Sequence, residues 1–402
     1  MKKRMLIIHH GRGLGGGLIA LLGLIDELKK NYNVAVFCIF NSEAIEYIEQ
    51  RGVNVIRPKS FIFYKYFYKI FSHTSANYFN FIKYILKLYK FLTYHVNKYI
   101  FSKIEYNFLI KDYDLVYLNS TFISDWAYYP SKKGKKVIIH IREPLKDDRK
   151  FIFYNLIRSN IKKNCDWVVA ITKDNAGRLN LLNKTTVIYD PIIKIRNKKE
   201  TILEENYETD SEHRYFTYLG GSSRIKGFEQ LVHSLKYLNN DVKIFFLGSY
   251  TDKLSSLNQL IKGIFDPYIF KSIRLYRILK KSPNAIIIGK TQDVFYYYKK
   301  SVATISCFSK PHASLPILES FSERVPVIVS DITGMDEFVK KNENGFFFQN
   351  GNSLDLANTI NHVANLKEND FAVLRNNTEK MCGLIANFEM LSRVIDKILM
   401  KK

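Results

Sequence analysis

Short apolar runs alternate along this chain with stretches in which apolar residues recur every three or four positions. Strands buried on both faces and amphipathic helices produce such an alternation in turn, so the pattern predicts βαβ units around parallel sheets. Two series are readable. The first places strands at Met5 to Ile8, Val34 to Phe40, Val53 to Ile56, Leu115 to Leu118, Val137 to His140 and Trp167 to Ile171. The second places them at Phe216 to Leu219, Val242 to Leu247, Ala285 to Ile288, Ala303 to Ser306 and Val325 to Val329. Between the series, Ile195 to Arg214 is charged and has no clear apolar period, which suits a connection between domains. The pattern thus predicts an α/β protein of two doubly wound, Rossmann-like domains at 1–195 and 196–385. A C-terminal helix at 386–402 follows, placed to pack back toward the first domain.

At 402 residues the chain is long enough for two cores, and 47% hydrophobic with 25% charged residues excludes a disordered chain. Charge changes the picture more. Lysine and arginine number 61 against 38 acidic residues, a net charge of +23 that points to an acidic partner: nucleic acid, phosphorylated metabolites or an anionic membrane. Residues 59–111 concentrate it, with nine lysines, 18 aromatics and the single acid Glu105, and read as a cationic helical segment suited to a membrane surface. Residues 250–283 hold a second basic amphipathic piece with Lys271, Arg274, Arg277, Lys280 and Lys281. Cys38, Cys165, Cys307 and Cys382 are far apart and lack metal-ligand spacing, so they read as small buried side chains in a reducing compartment. After Met1-Lys2-Lys3-Arg4 the apolar run stops at His9-His10, short of a signal peptide. The longest charge-free stretches, Gly13 to Ile25 and Ile70 to Ile82, have 13 residues each, where a membrane span needs about 20. The expectation is a cytoplasmic protein, peripheral on the inner face of the cytoplasmic membrane.

The first strand runs into His9-His10-Gly11-Arg12-Gly13-Leu14-Gly15-Gly16-Gly17, ahead of a helix from Leu18 to Leu28. Glycines there let backbone amides approach a phosphate at a helix N-terminus. Gly11, Gly13 and Gly16 also satisfy G-x-G-x-x-G, which opens an NAD-dependent reading. Against it, the second strand is followed by Asn41 and Ser42, with Glu43 late for the acid that would hold a ribose. The second series opens with Tyr218-Leu219-Gly220-Gly221-Ser222-Ser223-Arg224-Ile225-Lys226-Gly227. A strand, a small-residue turn and two cations before a helix suit a pyrophosphate, although as local structure alone they would be a solvated pair. Further on, Ser309-Lys310-Pro311-His312-Ala313-Ser314-Leu315-Pro316 leads into a helix with Pro316 in its first turn and Glu319 a turn in. That carboxylate can reach ribose or sugar hydroxyls, or merely favour the helix dipole. His140-Ile141-Arg142-Glu143 closes a strand of the first series.

Together these pieces resemble the retaining nucleotide-sugar glycosyltransferases of the glycogen-synthase-like clan, sequence family 4, whose GT-B fold sets two Rossmann-like domains facing a central cleft. The resemblance spans essentially the whole chain and is strongest from Tyr218 to Phe348. It implies that Gly15, Gly16 and Gly17 lie near the donor phosphates, that Arg224 and Lys226 grip the diphosphate, and that Glu319 binds the nucleotide ribose. It also implies donor contacts at Ser314, Leu315, Gly289 and Thr291, and a contact of His140 with the transferred sugar. The family pairs two glutamates in its helix-opening motif, and the first position here is Pro311, which leaves the sugar open. No metal and no cofactor beyond the nucleotide-sugar substrate are implied. Asp112-Tyr113-Asp114, which imitates the metal-binding DxD of the other glycosyltransferase fold, reads as a solvated strand start.

The expected protein is a metal-independent glycosyltransferase of surface-polysaccharide synthesis, for lipopolysaccharide or capsule. It would act on a glycan or polyprenyl-linked acceptor and dock on an anionic membrane through residues 59–111, with no nucleic acid as partner. Two alternatives stand beside it. One is a nucleic-acid-binding protein using the basic aromatic segment, for which no recognisable motif is present; the other is the NAD-dependent enzyme using the loop from Gly11 to Gly16.

Overall fold

Strands that are apolar from end to end need cover on both faces, and the computed structural model places them at the centre of two parallel sheets. It describes residues 2–59, 68, 70, 81–146, 152–194, 207–254, 256–291, 293–312, 315–382 and 388–400. The chain divides into two units, Met1–Ile193 with Ile385–Lys402, and Lys194–Leu384. In the first, β1 (Arg4–His9), β2 (Asn33–Cys38), β3 (Asn54–Ile56), β4 (Leu115–Leu118), β5 (Lys136–Ile141), β6 (Trp167–Ala170) and β7 (Thr185–Val187) form one sheet in the order β3-β2-β1-β4-β5-β6-β7. In the second, β8 (Arg214–Leu219), β9 (Val242–Leu247), β10 (Ala285–Gly289), β11 (Ala303–Ser306), β12 (Val327–Ser330) and β13 (Gly345–Phe348) follow the order β10-β9-β8-β11-β12-β13. Every strand predicted from the apolar runs is present. β12 starts at Val327 rather than at Val325 because Pro326 has no amide to give the ladder. β7 and β13 were not predicted: β7 is three half-buried residues, and β13 follows a turn through Asn342, whose φ is positive.

The strand order reverses beside the first strand of each sheet, β1 lying between β2 and β4 and β8 between β9 and β11. Connections leave such a point toward opposite faces and open a crevice at the strands' C-terminal ends, where ligands of doubly wound folds bind. The loops from His9 to Gly15, from Gly220 to Gly227 and from Cys307 to His312 all start there.

The aromatic segment is split between core and surface in its described part. A helix, Phe81–Val96, continues through a π-helical turn at Asn97–Phe101 into a second helix, Ser102–Leu109. Tyr68, Tyr94 and Tyr106 join the core around β1, β4 and β5. Buried hydrogen bonds anchor this face: Tyr68 Oη and Asn97 Nδ2 both donate to Asp125 Oδ2, at 3.2 and 2.7 Å. Leu88, Leu92, Val96, Ile100, Ile104 and Phe108 face solvent instead. The C-terminal helix Phe388–Met400 buries Leu391, Ile395 and Ile398 against the first unit, where Tyr32 Oη donates to Asp396 Oδ1 at 2.7 Å.

One backbone position decides how the second unit holds its switch-point loop. Gly227 has φ +75°, and a Cβ there would lie 1.7 Å from the carbonyl oxygen of Cys307. We expect Gly227→Ala to cost more than about 2 kcal/mol in chemical denaturation, since both strain and a backbone clash oppose it. Gly17→Ala is the contrast, with nothing within 4 Å of the new carbon, and should stabilise by up to about 1 kcal/mol through helix propensity.

Candidate active site

The turn after β8 sends its two cations into different surroundings. Lys226 is partly buried, and its Nζ donates to the carbonyl of Leu219 at 3.3 Å. Burial lowers its pKa, while the nearby Glu319 carboxylate opposes that shift. Arg224 stays exposed, with its guanidinium carbon 5.5 Å from the centre of the Tyr268 ring. The loop between them is tied to the next loop across the switch point. Ser309 Oγ donates to the carbonyl of Arg224 at 3.0 Å, and Gln230 Nε2 donates to the carbonyl of Cys307 at 2.6 Å.

Glu319 comes from the helix Leu315–Ser322 and is buried, with 3% exposure. Tyr298 Oη donates to its Oε2 at 3.0 Å. Burial pushes the carboxyl pKa up to about 7, with the Tyr298 hydroxyl and the Lys226 charge holding it back. His312 completes the group. Its ring stacks on Phe308 with centroids 5.0 Å apart, its Nδ1 has no hydrogen-bond partner, and burial together with Lys226 lowers its pKa to about 4. The structure therefore brings Lys226, Glu319 and His312 into one electrostatic neighbourhood. Leu315 opens the Glu319 helix, and Ser314 lies outside the described residues. Gly289 ends β10 with φ +84° and accepts a hydrogen bond from the Gly248 amide at 2.6 Å. Thr291 Oγ1 accepts one from the Asp293 amide at 3.0 Å.

In the first unit, Gly15 caps the helix Gly16–Asn31 without a side-chain hydrogen bond, and Gly15, Gly16 and Gly17 are exposed. The loop before them is already occupied by a carboxylate: Glu43 Oε1 accepts from the Leu14 amide at 3.3 Å. Beside it, β1, β4 and β5 end in a buried polar group that the sequence motifs only touched. His140 is 3% exposed, its Nδ1 shares a hydrogen bond with Tyr117 Oη at 2.9 Å, and its Nε2 has no partner. His9 pairs its Nδ1 with Asn119 Nδ2 at 3.3 Å and likewise leaves Nε2 unpartnered. Burial holds the pKa of His9 down to about 3 and that of His140 well below the usual imidazole range, so both rings are neutral. Arg142 donates from Nε to Asn119 Oδ1 at 2.8 Å and from Nη1 to Asp190, leaving Nη2 without a partner. Asp190, Asn119, Tyr117 and Tyr298 were not singled out from the sequence. The one local signal for Asp190 is its place directly before Pro191 at the end of the first series. Asp112 is exposed and faces Arg4, Asp114 is half-buried and faces Lys3, and no group of three or more potential metal ligands occurs among the described residues.

Two Rossmann-like units, each with a single parallel sheet and a loop cluster at its switch point, make this a GT-B fold. The glycosyltransferase of Rickettsia africae shares it with a TM-score of 0.71 at 17% identity over 100% of both chains. HepE of Anabaena, solved with UDP and glucose, shares it with a TM-score of 0.69 at 14% identity over 99% of both. Residues 199–381, within the second unit, match the family model described as glycosyl transferases group 1. Among curated proteins, the capsular polysaccharide biosynthesis glycosyltransferase CapM of Staphylococcus aureus is 23% identical over 175 residues, 43% of this chain. That match spans 40% of CapM's own length.

The raised pKa of Glu319 has a measurable consequence. Its carboxyl titrates near 7 when folded and near 4.5 otherwise, so folding favours the protonated form. Its contribution to stability falls as pH rises from about 4.5, and the penalty is complete above about 7. Glu319→Gln should therefore stabilise the ligand-free protein, by on the order of 3 kcal/mol above neutrality and far less near pH 5. Thermal unfolding of both proteins across that range checks it; a difference independent of pH would show that Glu319 is not held protonated.

Proposed function

We propose that this chain transfers a sugar from a nucleoside-diphosphate donor to a glycan or lipid-linked acceptor, with retention of configuration, in building a surface polysaccharide. The observation that carries the reading is Lys226 beside the buried Glu319, with Arg224 on the same loop, at the switch point of a glycosyl transferases group 1 domain. The bound UDP and glucose of HepE and the capsular role in CapM's name support the donor class and the pathway type.

In this reading the bond between the sugar's anomeric carbon and the donor's phosphate oxygen breaks as the acceptor oxygen attaches on the same face. The acceptor's proton passes to the departing phosphate oxygen, so no protein base is required. Negative charge grows on the diphosphate, and Lys226 and Arg224 stabilise it without a metal; Lys226 does so the more strongly for being partly desolvated. Glu319 accepts hydrogen bonds from ribose hydroxyls and holds the nucleotide in place. In the first unit, neutral His140 offers an uncommitted Nε2 suited to a sugar hydroxyl.

Attachment to an anionic bilayer through residues 59–111 belongs to the same proposal. Its support is the exposed row Leu88, Leu92, Val96, Ile100, Ile104 and Phe108 on a helix whose opposite face is anchored in the core. No helix among the described residues is long and apolar enough to cross a membrane.

Thermal protection by a panel of UDP-, GDP- and ADP-sugars, NAD and oligonucleotides tests the donor class, and protection by a nucleotide-sugar alone is expected. Arg224→Ala and Lys226→Ala should each lower kcat/KM roughly 10- to 150-fold, the equivalent of one lost charged hydrogen bond. Near-wild-type turnover in both folded variants would refute the assignment.

A further inference from the structure

The second unit carries an apolar surface that its own core does not use. In the helix Leu257–Phe265, Leu257 is 71% and Ile264 64% exposed, and Leu260, Ile261 and Phe265 are exposed with them. These five lie on one side of the helix. Its inner contact is made through Gly263, where a Cβ would come 2.5 Å from the ring of Phe270. An amphipathic helix on a globular domain normally turns its apolar stripe to the core, and this one turns it to solvent. The neighbouring helix Tyr268–Leu279, whose Phe270 covers Gly263, also leaves Phe270 and Ile278 exposed.

The surroundings are cationic. From Asp252 to Lys281 the chain has seven lysines and arginines against two acids. Lys271 is engaged by Glu229, while Lys262, Arg274, Arg277, Lys280 and Lys281 stand exposed in the same stretch of chain. Exposed aliphatic and aromatic residues bordered by lysine and arginine match the boundary between anionic headgroups and acyl chains. A second copy of this chain would fit poorly, because a self-complementary contact would set these cations against their own duplicates.

We propose that the helix Leu257–Phe265 is a membrane-contact element of the second unit, inserting its apolar face at the headgroup boundary of an anionic bilayer while the flanking cations meet lipid phosphates. This surface is separate from residues 59–111 and does not depend on them. The test uses the full chain with vesicles of phosphatidylglycerol and phosphatidylcholine, and with phosphatidylcholine alone. Ile264→Trp should show a blue-shifted emission component, quenched by brominated acyl chains, on addition of the anionic vesicles only. The pair Leu260→Ser with Ile264→Ser should reduce partitioning on the order of tenfold or more, and Leu92→Ser with Val96→Ser reports the first-unit surface independently. No spectral change in Ile264→Trp overturns the proposal, as does undiminished partitioning of the Leu260 and Ile264 pair, even where the Leu92 and Val96 pair still weakens binding. A change of oligomeric state in place of vesicle binding assigns the face to self-association and overturns it as well.

Discussion

The second unit is organised around the cost of taking Lys226 partly out of water beside Glu319. An ammonium and a carboxyl removed from solvent each lose hydration, and their mutual attraction returns only part of it. The shifts record this: the lysine is pulled below its ordinary range and the glutamic acid up to about 7. What keeps the two there is backbone. Gly227 lies so close to the Cys307 carbonyl that no side chain fits, and Gln230 ties that same carbonyl to the helix starting at Phe228. Tyr298 supplies Glu319 with its hydrogen bond from a neighbouring helix. The β8 and β11 loops thus fix each other, and the charges sit at a junction whose geometry side-chain motion alone cannot relax. In the proposed reading a diphosphate would offset part of this cost, the exchange of stability for function common at binding sites.

The first unit solves a different electrostatic problem at its own switch point. Arg142 is already paired with Asp190, so the cluster brings little net charge, and His9, His10 and His140 are held neutral by burial. Neutral imidazole nitrogens and a guanidinium with one uncommitted nitrogen can meet hydroxyl groups without demanding a charged partner. The second unit, with two cations on one loop, instead suits a phosphate. The two clusters therefore differ in kind, and the difference follows from which charges each fold compensates internally.

Strand positions and both switch-point loops were legible in the sequence because buried parallel strands leave uninterrupted apolar runs, and glycine clusters mark where backbone must come close. The loop from Gly220 to Gly227 was legible down to its two cations, but not their divergence, since Tyr268 under Arg224 and Glu319 near Lys226 lie 44 and 93 positions further along the chain. Partners that act across the sheet were invisible for the same reason. Tyr298 reads as one of three consecutive tyrosines, and nothing local says that its hydroxyl reaches Glu319. Asn119 and Asp190 gain meaning only once β4, β5 and the segment after β7 converge on Arg142.

Periodicity is silent on a further point that bears on the surplus charge. It shows that a helix has an apolar side, but not whether that side meets the core. In Phe81–Val96 and its continuation the chain carries enough apolar positions for both faces, burying Tyr94 and Tyr106 while leaving Leu92, Val96 and Ile104 outside. In Leu257–Phe265 the core receives only a glycine, and every large apolar side chain described points outward. The first of these segments is rich in lysine, and the second is followed by the basic helix Tyr268–Leu279; like charge of this kind opposes association between copies and favours anionic surfaces. In the proposed membrane attachment, the cations of these two stretches, part of the net charge of +23, would act together with the exposed apolar residues, since headgroup attraction and apolar insertion add.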